Sequence, residues 1–390
     1  MEKLSLDGMD VIKDLLELAQ DLVRIKSYSG QEGQIARFIA SKMEALDFDE
    51  VKIDRYGNVL GRVGDGERVL LFDSHIDTVS VTDEDLWQVP PFSGEILDGY
   101  LWGRGSVDMK SSVAASIYAA AIARSQGLLS GKTVYVSCTV DEEYCDGEGL
   151  KHALEESHIR PDYAIICEPS ANTITTGHKG KAQVIVQTKG ISAHSSAPEK
   201  GVNAIYEMAE IIQRVEQANL ELVRKSGRRS TLVLSQISST GVSLNAVPSA
   251  CEAYLDRRMV VGETEQTIRD EMARIIDGKN ASWEFDTLQR QTWTGEPITY
   301  QPFHLAWEIS LEHDLARALI AAYSDVFGKE PDKYDYWDFS TNAVATVRLG
   351  IPTIGFGPGD YKLAHVRDEK CEVSQILDAC AVYTSVIARL

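Results

Sequence analysis

The segment Arg68-Val69-Leu70-Leu71-Phe72-Asp73-Ser74-His75-Ile76-Asp77 decides how this 390-residue chain folds, because an apolar strand runs directly into a His-x-Asp triplet. Two later apolar strands also lead into acids, namely Glu142-Glu143 and Glu168. The carboxyl ends of parallel strands meet in one crevice, so these side chains are expected to lie close together. Zinc, cobalt and manganese accept imidazole and carboxylate ligands in mixture. The pattern therefore predicts a metal centre.

Helical and strand periodicities alternate over both ends of the chain. This alternation indicates an α/β fold with a mostly parallel sheet and helices on both of its faces. The middle of the chain instead has four strand patterns and two helix patterns, which are typical of a separate α+β layer. We therefore predict a catalytic domain formed by residues 1–176 and 293–390. Residues 177–292 are predicted to form a smaller inserted α+β domain, which would serve as a lid or a dimerisation domain.

Composition excludes several classes of partner. The formal net charge of -20 argues against binding to nucleic acid or to an anionic membrane surface. The N-terminus lacks a secretory signal, and no apolar stretch approaches the roughly 20 residues that a membrane-spanning helix needs. The six cysteines show no CxxC spacing, which is typical of reduced, buried thiols. These features predict a cytoplasmic protein.

Five motifs follow one another along the chain: Ser74-His75-Ile76-Asp77-Thr78-Val79, Gly103-Arg104-Gly105-Ser106-Val107-Asp108-Met109-Lys110, Asp141-Glu142-Glu143, Glu168-Pro169 and His365. In this order they resemble the two-metal metallopeptidase and deacylase family, which includes acetylornithine deacetylase, succinyl-diaminopimelate desuccinylase, aminoacylase and glutamate carboxypeptidase. Phe339-Ser340-Thr341-Asn342 and the loop 355–359 are similar to its subgroup of selenium-metabolism-linked hydrolases, a label that names no substrate. A single His-x-Asp triplet arises easily by chance, so the ordered combination carries this resemblance.

The resemblance implies two divalent metal ions, with zinc expected and cobalt or manganese as alternatives. Asp108 would bridge both ions. His75 and Glu168 would complete the ligands of one ion, and Glu143 and His365 those of the other. The alternative for Asp108 is the N-cap of the helix that follows it, because Asp is favoured at that position, and the two roles need not exclude each other.

The resemblance also assigns catalytic roles. Glu142 would be the general base that takes a proton from a metal-bridging water, so that hydroxide can attack an amide carbonyl. Asp77 would hold the imidazole of His75 in its ligating orientation. His194 matches a loop histidine that reaches the active site of a partner subunit, where it would stabilise the oxyanion. That role predicts a homodimer.

Two residues of the inserted domain match motifs of the family that bind substrate. Arg258 can grip a carboxylate through two hydrogen bonds. Asn245 could donate a hydrogen bond to the same carboxylate or to the oxyanion. Arg257 points to the opposite face of its strand, and we expect it to form a surface ion pair.

The sequence thus predicts a metal-dependent hydrolase that cleaves an amide C–N bond of a small carboxylated substrate, such as an N-acyl amino acid or a short peptide. Hydrolysis of an N-carbamoyl amino acid is an alternative. A non-catalytic peptide-binding relative is a second alternative, although binding alone does not require a general base. A metal-dependent phosphoesterase is disfavoured, because the chain has no phosphate-binding Gly-Lys loop.

Overall fold

The computed structural model describes residues 10–225, 227–241 and 243–390. Over these residues the helices are α1 (Val11–Arg24), α2 (Gly33–Ala45), α3 (Ser111–Ser125), α4 (Glu148–Glu156), α5 (Ala204–Val223), α6 (Glu265–Ile276), α7 (Asp314–Phe327), α8 (Ala343–Arg348) and α9 (Val373–Arg389). The strands are β1 (Glu50–Ile53), β2 (Val59–Gly64), β3 (Arg68–His75), β4 (Ile96–Leu97), β5 (Tyr100–Trp102), β6 (Lys132–Thr139), β7 (Tyr163–Ile166), β8 (Thr175–His178), β9 (Gly180–Lys189), β10 (Thr231–Thr240), β11 (Ala250–Met259), β12 (Ala281–Phe285), β13 (Leu288–Gln291), β14 (Pro297–Tyr300), β15 (Phe303–His304), β16 (Trp307–Glu308), β17 (Asp335–Trp337), β18 (Thr353–Gly355) and β19 (Lys370–Glu372).

The larger sheet has the strand order β1-β2-β6-β3-β7-β18-β8-β16, and β17 pairs with β8. Its centre is parallel, because β6, β3, β7 and β18 all run in one direction. Antiparallel strands extend both sides, with β2 next to β6 and β8 next to β18. The predicted α/β architecture is confirmed, and three of these four parallel strands, β3, β6 and β7, lead into the candidate ligands.

Strand β3 shows why both faces of this sheet carry helices. Phe72 is fully buried in the core that contains α1, α3 and α9, whereas Leu71 is fully buried in the core that contains α4 and α8. Successive side chains of a strand point to opposite faces, so an apolar run such as residues 69–72 requires cover on both. Among the described residues, no helix is long and apolar enough to span a membrane.

Besides the short sheets β13-β14 and β19-β5-β4, a second main sheet, smaller than the first, is antiparallel and has the order β10-β11-β9-β12, with the two-residue strand β15 also paired to β9. Its core is made by apolar residues of these strands together with α5 and α6. The chain leaves the larger sheet after β8 and returns to it at β16. The domain boundaries at residues 176/177 and 292/293 stay a prediction.

The expectation for Arg257 was wrong in one respect. Its side chain is fully buried and forms ion pairs with Glu263 at 2.6 Å and Glu271 at 2.8 Å. Arg257 does lie on the face of β11 opposite to Arg258, but this face is covered, since Glu271 belongs to α6. These ion pairs therefore lie beneath the helix layer that covers this sheet and not at the surface.

Candidate metal centre

The strand ends of the larger sheet bring the predicted ligands together. His75 is the last residue of β3, Glu142-Glu143 follows β6, and Glu168 follows β7. Asp108 lies in the turn Ser106–Lys110 directly before α3. His365 follows a short helical turn late in the chain. Three adjacent parallel strands and two loops therefore converge on one point.

Asp108 lies between the two histidines. Its Oδ1 is 2.8 Å from His75 Nε2, and its Oδ2 is 3.2 Å from His365 Nε2. His365 Nε2 is also 2.9 Å from Glu143 Oε2, and His75 Nε2 is 3.9 Å from Glu168 Oε1. The two oxygens of Asp108 thus face two different histidines, of which His75 lies near Glu168 and His365 lies near Glu143.

Asp77 connects the histidine to the glutamate pair. The Nδ1 of His75 is 3.0 Å from the carbonyl oxygen of Asp77 and 3.4 Å from its Oδ1, which leaves Nε2 free to face Asp108. The carboxylate of Asp77 accepts hydrogen bonds from the backbone N–H groups of Glu142 and Glu143 at 3.1 and 3.2 Å. It also accepts one from the hydroxyl of Ser29 at 2.7 Å. Asp77 therefore positions the backbone of both glutamates as well as the imidazole.

The turn that carries Asp108 is fixed by hydrogen bonds to the carboxylate of Glu369. Its Oε1 accepts hydrogen bonds from the backbone N–H groups of Val107 and Asp108 at 2.9 and 3.1 Å, and its other oxygen pairs with Arg104. The N-cap residue of α3 is Lys110, so Asp108 does not cap that helix. The capping alternative is therefore wrong, and the carboxylate of Asp108 is available to other groups.

The electrostatics of this cluster favour a bound cation. Burial and the charge of Asp108 raise the pKa of Glu168 well above its ordinary value, and the same two causes raise that of Glu143. Hydrogen bonds to Asp108 and Glu143 raise the pKa of His365 to about 10. Buried carboxylates that repel one another release this repulsion when a positive charge binds between them. His75, Asp108 and Glu143 each offer a ligand atom within 4.8 Å of the other two. The donor set therefore fits divalent metal ions.

Glu142 differs from its neighbour Glu143. It is 8% exposed, and its carboxylate lies within 4.8 Å of ligand atoms of His75 and Glu168. Burial and the charge of Glu168 raise the pKa of Glu142 well above its ordinary value. A carboxylate that binds a proton more readily than usual is suited to accept one near neutral pH.

A cavity of about 280 Å³ opens beside this cluster. It is lined by residues of both sheets and their loops, namely Asp108, Glu142, Glu143, Asp146, Glu168, Pro169, Lys181, Arg258, Phe339, Ser340, Tyr361, Ala364 and His365. Arg258 therefore lies in the wall of the cavity beside the cluster, and its contact with substrate stays a prediction. Its guanidinium pairs with Asp256, at 2.7 Å from Nε to Oδ1.

His194 and Asn245 lie elsewhere, and neither lines this cavity among the residues that the structure describes. Both are exposed, and they lie on two loops, one after β9 and one between β10 and β11, that are joined to each other. The carbonyl of Asn245 accepts a hydrogen bond from the N–H of Ser195 at 2.9 Å, and His194 forms a β-bridge with Ala246. The structure thus brings these two residues together, but not with the candidate metal ligands of the same chain.

Sequence reasoning missed several residues around the site. Asp146 and Lys181 line the cavity as a buried ion pair. Arg290 of β13 pairs at 3.0 Å with Asp141, which is fully buried directly before Glu142. Asp141 stands in the quoted Asp-Glu-Glu motif, but no local signal identifies Arg290, since the two residues are 149 positions apart.

The fold and this cluster define a class: α/β proteins with carboxylates and imidazoles gathered at the carboxyl ends of a parallel sheet. Residues 71–389 match the family model described as peptidase family M20/M25/M40, and the chain belongs to that family. It is 35% identical over 381 residues to YgeY of Escherichia coli K12, which covers 97% of this chain and 94% of that protein. It is 28% identical to succinyl-diaminopimelate desuccinylase of Corynebacterium glutamicum, with 96% of each chain covered. The M20 family metallo-carboxypeptidase Sso-CP2 of Sulfolobus solfataricus has a similar fold, with a TM-score of 0.75 at 18% identity over 98% of this chain and 99% of that one. The protein is therefore a hydrolase of the metallopeptidase and desuccinylase type.

Proposed function

We propose that the protein is a two-metal amidohydrolase that cleaves the C–N bond of an N-acyl amino acid or short peptide. The position of Asp108 is the observation that carries this proposal, since its two oxygens face His75 and His365 separately at 2.8 and 3.2 Å. His75, Asp108 and Glu168 would hold one ion, and Asp108, Glu143 and His365 the other. One imidazole and two carboxylates per ion form a ligand set that binds zinc, and it also binds cobalt or manganese.

Bound divalent ions would polarise the amide carbonyl and lower the pKa of a water molecule between them. Glu142 would take the proton of that water and deliver it to the leaving nitrogen. Its burial beside Glu168 supports this role, because the carboxylate must be able to hold a proton between the two steps. Asp77 would hold Glu142 and His75 in their relative positions through its hydrogen bonds to both residues.

The substrate groups would be bound by the smaller domain. Arg258 would bind the substrate carboxylate from the cavity wall. His194 would donate a hydrogen bond to the developing oxyanion in the site of a second subunit, and Asn245 would assist there. The exposure of both residues, away from the cavity of their own chain, supports this arrangement in a homodimer.

A screen of metals against substrates tests the proposal. Protein loaded with zinc, cobalt or manganese should hydrolyse at least one member of a panel of N-acetyl amino acids, N-succinyl amino acids and dipeptides. The Glu142→Gln protein with the same metal content serves as the control and should be inactive. Hydrolysis of N-carbamoyl amino acids alone would favour the carbamoyl alternative, and no hydrolysis by any loaded form would contradict the proposal.

A further inference from the structure

Lys181 and Arg258 form a second charged group in the cavity beside the metal cluster. They lie on the neighbouring strands β9 and β11 and are paired directly in the antiparallel register. Side chains at such paired positions project from one face, with Cβ atoms about 4.5–5.5 Å apart. Both residues line the cavity. Two cations are therefore presented side by side to the same space.

Each of the two cations forms an ion pair with a carboxylate. The ammonium of Lys181 is 3.0 and 3.3 Å from the two oxygens of Asp146, which also accepts a hydrogen bond from the hydroxyl of Ser340. Arg258 donates to Asp256, two residues earlier on the same strand, at 2.7 and 3.1 Å. Although burial acts in the opposite direction, Lys181 holds the pKa of Asp146 at about 2, so the acid is ionised. Like charges directly opposite each other destabilise a sheet, and these acids offset that cost.

Some N–H groups of Lys181 and Arg258 form no hydrogen bond to Asp146 or Asp256. A guanidinium has five N–H groups, and Arg258 directs two of them to Asp256. An ammonium has three, of which at most two reach Asp146. Both residues thus keep donors for a ligand in the cavity. Lys181 is only 9% exposed, so a ligand there would meet a largely desolvated cation.

We propose that Lys181 and Arg258 act together as a two-cation clamp that binds one carboxylate of the substrate, with one oxygen directed to each cation. Asp146 and Ser340 are positioning residues that hold the Lys181 ammonium at the cavity wall. The clamp rests on the proposed function, because it assigns the part of the substrate that the same site recognises. Its consequence is selectivity: a carboxylate at this position is required, and a neutral carboxamide of the same shape is bound much more weakly.

Equilibrium binding separates the clamp from catalysis. The probes are N-acetyl derivatives of L-alanine, L-leucine and L-lysine, each compared with its carboxamide by titration calorimetry on metal-loaded Glu142→Gln protein. The carboxylate of the tightest pair should bind at least about tenfold better than the carboxamide, as a charge-assisted contact requires. In the charge-neutral variant Lys181→Met/Asp146→Asn that preference should fall at least about tenfold, with an unchanged melting temperature.

The pair Lys179–Asp338 provides a matched control, since it is a 2.7 Å ion pair two positions before Lys181 and outside the cavity lining. Lys179→Met/Asp338→Asn should retain the full preference for the carboxylate. The clamp is overturned if Lys181→Met/Asp146→Asn also retains it, or if the starting protein shows no preference. It is likewise overturned if Lys181→Met alone loses the preference and adding Asp146→Asn restores it, because Lys181 would then serve only to neutralise Asp146. Absence of hydrolysis with the preference intact would count against the proposed function and leave the clamp standing.

Discussion

Replacing Glu142 with glutamine should lower kcat by about a hundredfold to ten-thousandfold, which is about 3–5 kcal/mol of activation free energy. The structure indicates that this loss falls on proton transfer and not on folding. Among the described residues none donates a hydrogen bond to the Glu142 carboxylate, whereas its backbone N–H is fixed by Asp77 at 3.1 Å. Glutamine has nearly the same shape and keeps that backbone contact, so the metal content should remain near normal.

Glu143 provides the matched control in the adjacent position. Its carboxylate is 2.9 Å from His365 Nε2 and accepts a hydrogen bond from Val79 N–H at 3.2 Å. Glu143→Gln should therefore lose one metal ion as well as activity. Steady-state kinetics and elemental analysis on protein prepared with the same metal measure both quantities. A kcat of the Glu142→Gln protein above about a tenth of the wild-type kcat would refute the assignment of Glu142 as the general base. Loss of both ions from that variant would instead identify Glu142 as a ligand.

Further predictions concern the subunit contact, the glutamate backbone and the pH dependence of stability. Mixing inactive His194→Ala protein with inactive Glu142→Gln protein under conditions of subunit exchange should restore some activity, because some heterodimers would contain one complete site; proven exchange without recovered activity contradicts the shared site. Arg290→Met should lower kcat several-fold, because it removes the cation that pairs with the fully buried Asp141. Arg290→Lys keeps the charge and should have a smaller effect. Unchanged kinetics in Arg290→Met would show that the Arg290–Asp141 pair does not position Glu142. Burial lowers the pKa of His178 from 6.5 to about 4, so between these pH values the unfolded chain binds a proton that the folded chain does not. The free energy of unfolding should therefore decrease as the pH falls through this window, and His178→Gln should reduce the slope by up to about 1.4 kcal/mol per pH unit; an identical slope in calorimetric or denaturant titrations would argue against a neutral buried histidine.

The residues at the strand ends could be predicted because their signal is local. An apolar run followed by His75, Glu142 or Glu168 specifies both a buried strand and the polar group that follows it. The parallel arrangement then determines that these groups meet, whatever the lengths of the connections. Strands β1 and β2 carry no comparable pattern, and the pairing of β2 with β6 joins segments that lie far apart in the sequence.

The contacts between the two sheets could not be predicted. Asp146 and Lys181 are 35 positions apart and belong to different parts of the fold, so only the docking of β9 beside the loop after Glu142 brings them together. The surroundings of Arg257 could not be predicted for the same reason. Strand alternation correctly separates it from Arg258, but the covering of its face by α6 is a property of packing and not of the strand.

The metal content tests the central proposal most directly. Elemental analysis of protein never exposed to a chelator, combined with anomalous diffraction from its crystals, would count and locate the ions. We predict two ions per chain about 3.5 Å apart, on either side of Asp108, with His75→Ala removing the ion that it shares with Glu168. At most one ion per chain, with binding unchanged in His75→Ala, would contradict the two-metal site.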